Sequence, residues 1–92
     1  MSKVVWKYPL ELIYEQLIDL PVDTQILSVQ MQNETPTIWA LVDSERPKAS
    51  CRIRIAGTGH ELTTADLPDD ADFLGTIQFS EGQLVFHIWN TH

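Results

Sequence analysis

The densest chemistry in this chain lies in four consecutive residues, Gly57-Thr58-Gly59-His60. Two glycines one residue apart let a backbone approach a ligand closely and turn successive N–H groups toward an anion, as phosphate nests do. The segment lacks the Lys-Ser/Thr of a P-loop, and Glu61 and Leu62 break the Gly-x-Gly-x-x-Gly pattern of dinucleotide folds. Its alternative reading is a tight turn at a strand end. Just upstream stand Arg52 and Arg54, whose guanidinium groups suit phosphate; of Trp6, Trp39 and Trp89, core packing explains at least one, and an exposed remainder would form a binding or oligomer surface or offer an indole face on which a base could stack. His60 and His87 are of the residue type that titrates near neutral pH, able to act as a general acid and base or to hydrogen-bond a ligand. The competing reading is a histidine satisfied by a backbone carbonyl. The candidate ligand-binding set is therefore Trp39, Arg52, Arg54, Gly57, Thr58, Gly59, His60 and His87. No catalytic residue is assigned. Cys51 would be a nucleophile only with a histidine beside it, no Cys/His cluster has zinc-ligand spacing, and neither a metal nor a cofactor is expected.

These residues need elements to position them. Gln25 to Gln32 alternates, with Leu27, Val29 and Met31 on one face and Ser28, Gln30 and Gln32 on the other, the period of a half-buried strand. Asn33 to Pro36 is turn chemistry, and Thr37 to Val42 resumes as a strand apolar on both faces, predicted to be central in its sheet. After a turn around Pro47, Cys51 to Ala56 alternates again. Cys51, Ile53 and Ile55 point inward, and Arg52 and Arg54 share the outer face about 7 Å apart. Residues 61 to 72 have no apolar periodicity and read as a loop. Phe73 to Phe79 and Gln83 to Trp89 form a second hairpin around Ser80-Glu81-Gly82, with Leu84, Phe86 and Ile88 on one face and Val85, His87 and Trp89 on the other. Val4 to Tyr8 suits a strand. Glu11 to Leu20 fits a short helix about as well as an extended segment, and a strand over Leu17 to Leu20 is preferred because the remainder is all-β. The expected fold is one all-β domain over residues 1–92, a compact antiparallel sheet of five to seven strands forming a small sandwich or barrel.

Ninety-two residues leave room for one core, and a chain of this length buries only about 60 to 65% of its unfolded surface. A single cysteine offers no internal disulfide, so partner chains are the expected supplement, and a homo-oligomer is predicted. The net charge of −7 argues against nonspecific nucleic-acid binding, which needs a basic stripe. Four of the six basic residues, Arg46, Lys48, Arg52 and Arg54, nevertheless fall close together, followed by an acidic run of Glu61, Asp66, Asp69, Asp70 and Asp72. That run reads most simply as a solvated loop. With no apolar leader and no membrane-spanning stretch, the expected location is the cytoplasm, with no membrane partner.

The strings Trp39-Ala40-Leu41-Val42-Asp43, Arg52-Ile53-Arg54-Ile55, Gly57-Thr58-Gly59-His60, Gly75-Thr76 and Leu84-Val85-Phe86-His87 resemble a group of small, uncharacterised phage and prophage proteins. The likeness begins at Trp6-Lys7-Tyr8-Pro9-Leu10, includes Gln25 to Val29 and Gln32, and so covers nearly the whole chain. It departs over residues 11 to 16, where Glu-Leu-Ile-Tyr-Glu-Gln replaces a more polar stretch. The resemblance implies an origin and the host cytoplasm as location, and carries no established activity. It points to a non-enzymatic accessory binding protein, in one variant a self-associating sponge for a nucleotide-type immune signal. Its alternatives are an acidic protein that binds and inhibits a host defence enzyme, and a small hydrolase or lyase using His60 and His87.

Overall fold

A computed structural model of the chain describes residues 2–92, Ser80 by its backbone alone. Among these described residues seven strands follow one another: β1 (Lys3–Pro9), β2 (Glu15–Pro21), β3 (Gln25–Gln32), β4 (Thr35–Asp43), β5 (Lys48–Gly57), β6 (Asp72–Phe79) and β7 (Leu84–Asn90), with a 3-10 turn at Ser80–Gly82 before the last. All pairings are antiparallel. They form two sheets, one ordered β1-β4-β3 and the other β2-β5-β7-β6, so the domain is all-β as the alternating patterns predict, and of the sandwich and the small barrel it takes the two-sheet form. Of the stretch 11–20 that fits helix or strand, residues 15–20 belong to β2, which is longer at both ends than Leu17 to Leu20, while 11–14 connect it to β1 without strand structure. As its apolar pattern implies, β4 is the central strand of its sheet.

The period-2 alternation of β4 and β5 builds the core. Ile38, Ala40 and Val42 from β4 meet Cys51, Ile53 and Ile55 from β5, with Ile77 and Ile88 from the second hairpin and Val29 from β3 closing around them. Ile38, Ile53 and Ile88 are wholly buried, and each such side chain stabilises the fold by about 1.5–3 kcal/mol relative to exposure. Leu20, Trp6 and Tyr8 bring the inner faces of β1 and β2 against this cluster. Cys51 is a small hydrophobe within it, and burial pushes its thiol above the ordinary range.

One face assignment changes. The register of β3 shifts between Ile26 and Ser28, and the extra residue reverses the phase of the strand. Val29 and Met31 therefore pack inward with Ile26, while Leu27 is left 47% exposed. A matching shift between Phe73 and Gly75 in β6 turns Leu74 toward the core and Phe73 outward. At the hairpin tips the residues with positive φ are Asn33 and Glu34 between β3 and β4, and Glu81 and Gly82 between β6 and β7. Gly82 (φ 90°) supplies the left-handed geometry expected of that short loop.

Candidate functional site

Strand phase places the outer face of the larger sheet. With Ile53, Ile55 and Ile88 inward, Arg52, Arg54, His87 and Trp89 stand outward, joined by Glu15 and Leu17 from β2 and Phe73 and Thr76 from β6. Arg54 lies opposite Glu15 on one side and Trp89 on the other.

The two arginines share that face but not an environment. The Arg54 side chain is only 7% exposed: its Nη2 donates to Glu15 Oε2, and its Nη1 reaches Asp66 Oδ1 at 3.4 Å. Its guanidinium carbon also lies 4.5 Å from the centre of the Tyr14 ring. The loop that follows β5 thus folds back across the sheet, anchored by Asp66, and Ala56 beneath it is buried as well. Hydrogen bonds from the Tyr14 hydroxyl and from the backbone and hydroxyl of Thr63 hold the Asp66 carboxyl below the usual carboxylate range. Arg52 remains half exposed, with its Nε 3.5 Å from Glu15 Oε1. Both guanidinium groups therefore converge on one carboxylate of their own chain, an arrangement that neutralises the cations available to a phosphate.

Trp39 stands apart from this face. On β4 its neighbours Ile38 and Ala40 are wholly buried, so Trp39 lies on the outer face of the other sheet, opposite Lys7 on β1 and Ser28 on β3. The residues that do come together are the 57–60 turn and His87. Thr58 Oγ1 is 2.7 Å from His87 Nε2, and Thr76 Oγ1 is 3.0 Å from His87 Nδ1. Each ring nitrogen thus meets a neutral hydroxyl. A threonine hydroxyl against an imidazole nitrogen is the first pair of a nucleophile–base relay, but here the orienting group is Thr76, which carries no charge to stabilise an imidazolium.

Within the turn, the Thr58 N–H donates to Val85 O (3.1 Å) and the His60 N–H to Gly57 O (3.2 Å). Two of its donors are thereby directed into the fold and not toward an anion. Gly57 has a second role. A Cβ there would lie 3.1 Å from His60 Cε1 and 3.3 Å from Nδ1, so the bare glycine makes room for the imidazole to lie over it. Gly59 takes φ 90°, which closes the turn.

The seated His60 ring stands between two hollows. One, of about 490 Å³, runs from Gly57, Thr58 and His60 to Gln83, Leu84 and Phe86. The other, of about 170 Å³, lies between the same His60, Phe86 and Gly57 and the β1–β2 connection at Leu12, Ile13 and Tyr14. Leu12, Ile13, Tyr14 and Leu84 are each close to half exposed, giving an apolar rim around a polar centre. The 12–14 segment was not among the sequence candidates. Its signal was the apolar Leu-Ile-Tyr run that breaks the family-like pattern, a run that the strand-or-helix question obscured.

Residues 1–92 match the model of a domain of unknown function, DUF7352. The chain belongs to that family. No curated protein and no solved structure matches it. For this member of DUF7352, the site therefore rests on geometry. Among the described residues, no group of three or more His, Cys, Asp or Glu side chains is arranged to hold a metal ion, and no helix is long and apolar enough to cross a membrane.

Proposed function

We propose that this DUF7352 domain is a non-enzymatic binding protein of phage or prophage origin, and that its ligand enters the double hollow around His60. The observation that carries the reading is the coincidence of an apolar rim with a polar centre: Leu12, Ile13 and Leu84 surround His60, Thr58 and Gln83. Such a mixture, apolar walls with a few convergent polar groups, is the usual composition of a small-molecule or peptide pocket. A nucleotide-type immune signal fits this place through its ring, lying on apolar walls and hydrogen-bonded by His60 and Gln83. Its phosphates find little there, because Arg54 is buried against Glu15 and Asp66. The test is native mass spectrometry of the chain purified from a bacterial host, beside a Leu84→Asp variant. Leu84 is 49% exposed, so the substitution leaves the core intact. A retained adduct that the variant loses supports the reading; an adduct retained equally by the variant, or none in either, removes it.

A second reading, an acidic inhibitor of a host defence enzyme, is favoured by one observation. Glu61, Asp69 and Asp70 stay exposed on the 58–71 loop while Asp66 alone is withdrawn into the arginine cluster. Such an inhibitor binds with steep salt dependence and loses its target when Asp69, Asp70 and Asp72 are neutralised together.

A further inference from the structure

Strands β1 and β2 end their respective sheets, and neither has a further strand beside it among the described residues. At the opposite ends β3 and β6 approach each other, with the Gly75 Cβ position 3.5 Å from Val29 Cβ. Both open edges therefore lie on the same side of the sandwich. Their directions follow from the registers: Lys3 pairs with Asp43 and Pro21 with Lys48, on either side of the short β4–β5 turn. Lys3 and Asp19 thus sit toward one end of the domain, Lys7 and Glu15 toward the other, and the two edges run antiparallel.

The backbone phase of each edge is fixed by bonds just beyond the strands. The Leu10 N–H donates to Pro36 O (2.8 Å), continuing the β1–β4 register, so the even-numbered residues of β1 turn their backbone groups toward β4. Lys3, Val5 and Lys7 then turn theirs to the open edge. On β2, the Ile55 N–H donates to Tyr14 O and the Val22 N–H to Pro47 O, each at 2.9 Å, again in register. Glu15, Leu17 and Asp19 accordingly face their groups outward from that edge. The side chains of these six residues lie on the outer faces of the two sheets, opposite Asp43, Leu41, Trp39, Arg54, Arg52 and Ser50.

We infer that two copies of this chain associate through these edges, β1 of each pairing antiparallel with β2 of the other: Lys3 with Asp19, Val5 with Leu17, Lys7 with Glu15. This register satisfies three conditions together. Every pair joins residues whose free N–H and C=O groups face the seam, both lysines meet carboxylates, and the exposed Val5 and Leu17 (50% and 61%) cover each other between them. Val4, 39% exposed on the inner face, falls opposite Ile18. The competing pairings fail on charge. Two β1 edges would set Lys3 against Lys7, two β2 edges Glu15 against Asp19, and a two-residue slip would place Lys7 on Leu17 and Asp19 on Val5. A two-fold axis parallel to the strands forms both seams at once and closes the assembly, giving two continuous seven-strand sheets and no remaining open edge on that side.

The test is sedimentation equilibrium of the full chain with charge exchange at Lys3 and Asp19, a pair clear of the arginine cluster. Lys3→Glu and Asp19→Lys should each weaken the dimer about tenfold, since two symmetry-related attractions become repulsions. The double variant K3E/D19K should recover the original affinity. Val5→Pro should also dissociate it, because the amide lost is one that the single chain does not use. Amide hydrogen exchange gives a readout without mutation: in the dimer, Lys3, Val5, Lys7, Glu15, Leu17 and Asp19 are protected. A chain that remains monomeric at tens of micromolar overturns the inference. So does a dimer whose six amides exchange freely, a double variant no tighter than its parents, or an assembly that grows past two.

Discussion

Arg54→Ala tests whether the arginine pair on β5 serves a ligand or the fold. Removing one partner of a buried ion pair costs about 3–5 kcal/mol when the remaining charge stays buried. Here the carboxylate side chains of Glu15 and Asp66 are 40% and 28% exposed, so they rehydrate, and Glu15 keeps Arg52 nearby. The loss falls to about 2–3 kcal/mol, of which the contact with Tyr14 accounts for about 0.5–1. Arg52 is half exposed with a single longer contact, and Arg52→Ala should cost about 0.5 kcal/mol or less. A chain of this length has a stability of roughly 9 kcal/mol at about 0.1 per residue, so both variants remain folded and measurable. Urea unfolding followed by tryptophan fluorescence at one fixed protein concentration reads the difference. With a slope of about 1–1.5 kcal/mol per molar, the Arg54 variant should shift its midpoint down by about 2 M and the Arg52 variant by under 0.5 M. The same Arg54 variant should release Asp66 and open the 58–71 loop to protease. Equal shifts for the two variants, or a loss below about 0.5 kcal/mol for Arg54→Ala, would mean that Arg54 does not hold the loop to the sheet, and would return both guanidinium groups to the candidate ligand set.

Tyr8→Phe should raise stability by about 0.5–1 kcal/mol in the same assay, because the Tyr8 hydroxyl is buried without a hydrogen-bond partner among the described residues. Gly59→Ala should lower it by about 1–2 kcal/mol, since its φ of 90° is strained for any residue with a Cβ. Asp66→Asn should flatten the acid limb of the stability profile. The folded carboxyl lies below its unfolded value of about 3.9, so its contribution is complete above that pH and is lost as pH falls through the folded value. Cys51 should react with a disulfide reagent at neutral pH only at the rate of unfolding, and urea should accelerate the reaction to that of a free thiol.

The fold was legible wherever one face of a strand is buried and the other is not. Gln25 to Gln32, Cys51 to Ala56 and Gln83 to Trp89 announce themselves by alternation, and the core residues Val29, Ile53, Ile55 and Ile88 follow from it. The exceptions are the bulges. A single extra residue at Leu27 leaves no compositional mark, yet it exchanges the two faces of β3 on one side of that point. Residues 11 to 20 were ambiguous for a related reason. β2 is an edge strand whose inner face alone is covered, so Leu17 points to solvent and dilutes the pattern that Ile18 and Leu20 set.

The site was less legible, because alternation gives the direction of a side chain but not what lies over it. Arg52 and Arg54 do share the outer face that their spacing predicts, and still one is half exposed while the other is sealed beneath a loop. The sealing residues, Tyr14 and Asp66, come from segments with no periodicity to read, one a strand connection and the other an acidic run. In Trp39 the difficulty is one of layer: a strand's phase assigns it to an outer face without saying which of the two sheets that face belongs to. Only the sheet order separates it from His87. Gly57 and His60, by contrast, lie in one short turn, where the chain itself brings the glycine under the imidazole, and their proximity survives any error in topology. Local motifs were thus readable from sequence, and constellations spanning strands were not. The edge complementarity of β1 and β2 is a constellation of that second kind. Lys3-Val5-Lys7 and Glu15-Leu17-Asp19 look like ordinary solubilising alternation until the registers show that the same three residues of each strand also carry the free backbone groups.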